Sequence, residues 1–129
     1  MSIRHNQKGQ ALVELALVLP VLLLVLMAIV DFGRVFHGHL AVTSAARQGA
    51  REASLGRTDT EIVGVVRLAA VPLTPAQITV TVTPAFSARH AGTSIEVTVS
   101  YAIDILTPLI EPFFPSPYII VGRTVVRRE

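Results

Sequence analysis

Lys8 to Pro20 reads KGQALVELALVLP, and it places one carboxylate, Glu14, near the start of the most apolar run in the chain. From Gln10 to Val30 Glu14 is the only charged side chain. As a helix rising about 1.5 Å per residue, this run covers about 31 Å, matching a hydrocarbon core of ~30 Å. Arg4 and Lys8 precede it with no acid between them. The positive-inside rule therefore keeps residues 1–9 in the cytoplasm and sends the rest of the chain outward. Pro20 removes one backbone hydrogen bond and is expected to kink the helix, which lipid-embedded helices tolerate where neighbours compensate.

Three readings account for this segment. A cleaved secretory signal needs a small-x-small site soon after Val30, but DFGRVFHGH follows and the nearest candidates lie around Ala41 to Ala45. An uncleaved anchor leaves Glu14 unexplained, at a cost of about 2.5–3.5 kcal/mol if it lies deep in lipid; near the surface it snorkels. A third reading supposes cleavage between Gly9 and Gln10. The new α-amine on Gln10 then stands one helical turn from Glu14, and pairing lowers the cost of both charges in lipid. The helix dipole also favours an acid there. Between chains stacked with a small axial offset, Glu14 meets a neighbour's amine and sets the register of assembly.

The composition narrows the class. Of 129 residues 51% are hydrophobic and 16% charged, too apolar for disorder. The absence of cysteine excludes disulfides, thiolate chemistry and Cys-based zinc sites. Arg4 and Lys8 account for the entire net charge of +2, so the folded part has no basic excess and nucleic-acid binding is disfavoured.

Beyond the span, Asp31-Phe32-Gly33-Arg34 marks the exit from the bilayer, with Asp31 and Arg34 either paired across one turn or separately solvated. Phe32, Phe36 and Leu40, then Thr43, Ala46, Ala50 and Ala53, read as one packing stripe narrowing to small side chains. The rod is expected over Gln10 to Ser54, weakened at Gly33, Gly38 and Gly49 and capped by Gly56. Thr58-Asp59-Thr60-Glu61 reads as a capping box opening a short helix over 59–71, ended by Pro72 and Pro75. Three strand-like runs follow at 77–83, 94–103 and 118–128, alternating apolar side chains with Thr and Ser as a half-exposed antiparallel sheet does. Between the last two lies a connection over 106–117 with four prolines and exposed-looking Phe113 and Phe114. The fold class is α+β: a long N-terminal helix on a small three-stranded antiparallel sheet, with one short extra helix. The units are a basic leader (1–9), a transmembrane helix (10–30), its continuation (31–54) and a small head (55–129). The head is too small to bury a large core alone and needs the helix.

No enzyme chemistry is recognisable. His37 and His39 would sit about 200° apart on a helix and cannot chelate one metal. No nucleophile elbow, phosphate-binding glycine loop or paired carboxylates occur, so no catalytic residue, metal or cofactor is expected. Arg47 and Arg51 form either the wet face of the helix or a contact for an acidic patch.

Taken together, three stretches resemble the TadE-like family, the pseudopilins of the tight-adherence (Flp) pilus system. They are Gly9-Gln10-Ala11-Leu12-Val13-Glu14-Leu15-Ala16-Leu17-Val18-Leu19-Pro20, then Asp31-Phe32-Gly33-Arg34, then Ala45-Ala46-Arg47-Gln48-Gly49-Ala50-Arg51-Glu52-Ala53. The resemblance spans roughly residues 8–54. It implies a pilin-like fold, cleavage after Gly9 by an aspartic prepilin peptidase, and Glu14 as the fifth mature residue. Leu15 departs from the Phe or Tyr that processed members often carry. The implied partners are that peptidase, other pilins and pseudopilins, inner-membrane platform proteins and lipid. The implied location is the bacterial inner membrane, single-pass, with the head outside the cytoplasm. The rival reading is an uncleaved bitopic scaffold or envelope binding protein; a secreted enzyme would require a mature terminus beyond Ala41.

Overall fold

The computed structural model describes residues 3–108, 111–114 and 117–129. Helix α1 runs from Ile3 to Ser54, continuing through Pro20; at 52 residues it is about 78 Å long. It therefore starts within the leader, ahead of the expected Gln10. The first two leader residues and parts of the 106–117 connection lie outside the described residues.

Gly56 closes α1 in the left-handed region with φ +81°, a conformation that costs any residue with a Cβ. Helix α2 spans Asp59–Ala69 and opens on the expected reciprocal cap. Thr58 Oγ1 accepts from the Glu61 N–H, and a Glu61 carboxylate oxygen accepts from the Thr58 N–H at 2.9 Å. That backbone bond is the main reason the Glu61 carboxyl lies below its ordinary value of 4.5.

The sheet comprises β1 (Ile78–Thr83), β2 (Ser94–Ile103) and β3 (Tyr118–Arg127), in the order β1-β2-β3 and antiparallel throughout. Each strand begins and ends within one residue of its expected limits. On β2 the period of two sends Ile95, Val97, Val99, Tyr101 and Ile103 inward, while Glu96, Thr98 and Ser100 face outward. Helix α1 packs on β2 and β3, and α2 bridges α1 and β1, giving a helix layer over one face of the sheet.

The helix face that meets the sheet is not the expected one throughout. Ala46 and Ala50 are buried as expected, but Phe32, Phe36 and Leu40 point outward, with Phe32 74% exposed. A spacing of four advances about 40° around the helix at each step, so a strict four-residue stripe winds off any one face. The buried line instead follows Asp31, Val35, Gly38, Val42, Ala45 and Gly49, alternating steps of four and three. Small residues on this line bring the layers together. A Cβ at Gly122 of β3 would lie 2.8 Å from Val42 Cγ1 and 2.9 Å from the Val42 carbonyl oxygen. The sheet here rests directly on helix backbone.

Arg89 supplies a second tie. It is almost fully buried, donates from Nε to the Pro84 carbonyl at 2.8 Å, and holds Nη2 2.6 Å from Asp59 Oδ1. The β1–β2 connection is thereby fixed to the first turn of α2.

Candidate membrane and assembly site

The lower part of α1 is left largely bare, and only at its top does the segment after β2 come beside it. Its most apolar window of 18 residues has a mean hydropathy of 2.9, and none of it is buried. Such a helix has the length and composition of a single-pass membrane anchor. Within it, the helix places Gln10 and Glu14 on one face, with Gln10 Nε2 3.5 Å from Glu14 Oε1, the outer limit of a hydrogen bond. A Cβ at Gly9 would meet nothing within 4 Å. Packing in this chain therefore does not require glycine there.

At the upper end of the span the helix is clamped to the head. Asp31 is 5% exposed, and its carboxylate collects three donors from the segment after β2. Thr107 Oγ1 donates to Oδ2 at 2.6 Å and the Thr107 N–H to the same oxygen at 2.8 Å. The Leu106 N–H is shared between both oxygens at 3.1 Å. Arg34 Nη1 lies 3.4 Å from Oδ1 and donates to the Asp104 carbonyl at 3.1 Å. Burial alone pushes the Asp31 carboxyl upward. The Thr107 hydroxyl, the two backbone N–H groups and the Arg34 charge outweigh it and hold the group below its ordinary 3.8.

The Asp31–Arg34 pair, one of the two alternatives the sequence left open, is present but is the lesser part of this site. Neither solvation nor a surface pair describes Asp31; it is a buried acceptor that caps an irregular segment. The sequence carries no signal for this, because the partners are two backbone N–H groups and one hydroxyl more than seventy positions away. His37 and His39 are both exposed, as are Arg47 and Arg51. Among the described residues, no three His, Asp or Glu side chains gather as ligands for a metal ion.

Gly9, Glu14, the apolar run, the Asp31 turn and the small-residue seam thus follow one another along a single helix. The family model of the TadE-like protein matches residues 9–51. The TadE-like segment therefore begins at Gly9 and ends three residues short of the end of α1, leaving the sheet and α2 outside it. No curated protein and no solved structure matches the chain.

Proposed function

We propose that the protein is the precursor of a minor pilin or pseudopilin of a tight-adherence pilus. It is inserted in the inner membrane with the leader in the cytoplasm and the head outside, and a prepilin peptidase cuts it between Gly9 and Gln10. The Gln10 ammonium and the Glu14 carboxylate then compensate each other, or a neighbour's partner group, inside lipid. Assembly proceeds by lateral packing of α1 with other pilins. The chain carries no nucleotide-binding loop, so platform proteins and an extraction ATPase supply the work.

One observation carries this reading. Gln10 and Glu14 lie one turn apart on the part of α1 that the head leaves bare, at the start of the segment matched by the TadE-like family. The rival, an uncleaved anchored scaffold, draws on the continuity of α1 across Gly9. The N-terminal residue of membrane-extracted protein separates them. Gln10 at the front supports the pilin precursor; a retained leader overturns it in favour of the anchor.

A further inference from the structure

The connection between β2 and β3 does not stay above the membrane exit. The backbone clamped by Asp31 carries Ile105 and Leu106 to different flanks of α1, where the helix descends into its apolar run, and the Leu106 side chain meets residues below Asp31 only. Ile105 lines an apolar groove that runs from Val25 and Ile29, past Asp31 and Phe32, to Val35 and is walled on the other side by Phe114 and Tyr118, while Leu106 closes a smaller groove against Leu23, Leu26 and Val30. Leu23 lies eight residues before Asp31, about 12 Å down the helix axis. Phe113 is 83% exposed, and Leu106 and Phe114 are about half exposed.

We infer that Ile105, Leu106, Phe113 and Phe114, in the connection between β2 and β3, form a second membrane contact, through which the head inserts into the outer leaflet beside its own helix. The inference rests on the reading that α1 spans a bilayer. Given that span, Val25 and Ile29 face acyl chains, and whatever bathes them also bathes Ile105 and Phe114 across the same groove. The larger groove measures about 630 Å³ and is walled almost wholly by carbon, so lipid tails fill it and water does not. Tyr118 also lines it, matching the interfacial preference of an aromatic ring with a polar tip. A depth of one to two helical turns is also the depth at which amphipathic surface elements lie in a leaflet, about 5–10 Å. The Asp31 clamp then acts as a depth gauge. It fixes the apolar connection to α1 and satisfies the N–H groups of Leu106 and Thr107 before they approach lipid.

The chain contains no tryptophan, so single-Trp variants of the full-length protein report position without background. Four are reconstituted at low protein density into vesicles of phosphatidylcholine and phosphatidylglycerol, with and without bromine on the acyl chains. They are Phe113→Trp, Leu106→Trp, Leu17→Trp as a reporter within the span, and Val125→Trp on the exposed face of β3. The expected result is loss of fluorescence to bromolipid, with blue-shifted emission, for Phe113→Trp, Leu106→Trp and Leu17→Trp, and none for Val125→Trp. Quenching of Leu17→Trp alone overturns the second contact and leaves the span intact. Blue-shifted emission at Phe113→Trp without bromolipid quenching assigns the surface to another copy and also overturns it. An unquenched Leu17→Trp removes the span, and the contact with it.

Discussion

Thr107 Oγ1 donates a 2.6 Å hydrogen bond to Asp31 Oδ2, joining the top of the apolar helix to a segment that follows the middle strand of the sheet. Thr107 is 1% exposed, so little solvent competes for this bond. Replacing Asp31 by Ala strands three donors and is expected to destabilise the head–helix junction by about 3 kcal/mol or more. Thr107→Val removes one donor and is expected to cost about 1–2 kcal/mol. Hydrogen exchange at the Leu106 and Thr107 amides, before and after each substitution, measures the change; unchanged protection would contradict the clamp.

The same carboxylate dictates a pH response. Its folded-state value lies below the unfolded 3.8, so the contribution is fully present above about 3.8 and is lost as pH falls through the lowered folded value. Protection of the Leu106 amide should therefore hold at neutral pH and decline in strong acid. In Asp31→Asn that acid limb should vanish, the remaining loss coming from other carboxylates.

Packing at the seam makes a paired prediction about glycine. Gly122→Ala puts a Cβ against the Val42 backbone and is expected to cost about 1–3 kcal/mol. Gly64→Ala, in α2, meets open space and should stabilise by up to about 1 kcal/mol. Denaturant midpoints of the two variants should move in opposite directions.

Around the cleavage position the expectation is functional and not structural. Gly9→Val meets no neighbour, so insertion and head folding should be unchanged while processing stops, because the added side chain falls at the position where the proposed peptidase takes glycine. Mass spectrometry of the extracted protein reads the result. Glu14→Ala should be inserted and cleaved normally yet fail to assemble; normal surface pili in that variant would remove the docking role.

Deleting residues 1–30 removes the lipid helix and keeps Asp31 with the whole sheet-facing line. The product should sediment as a soluble monomer. Stable filaments from it would show that the apolar helix is not the polymerising element.

What was legible in the sequence is what local physics dictates. Alternation on β2, the Thr58–Glu61 box and the Gly56 stop each encode their structure within a few residues. The rotational phase of α1 was not legible, because Phe32, Phe36 and Leu40 look like a packing stripe until the sheet selects the line of small residues beside them. Gly49 read as a weak point in the rod is instead a contact: a Cβ there would come within 2.6 Å of Val66 Cγ2. The clamp made by Asp31 and the tie made by Arg89 were missed for a shared reason. Each is a buried charge serving backbone groups of an irregular segment, and side-chain patterns do not record where such segments pass.

The line from Asp31 to Ala53 runs parallel to the axis of α1, with the clamp at its lower end. A pull on the lipid end of the rod therefore loads that bond cluster and the alanine–glycine seam simultaneously, in shear, and cannot peel them open one at a time. As a mechanical element the head is loaded in shear by traction along the axis of α1, and in peeling by a sideways tug on β3.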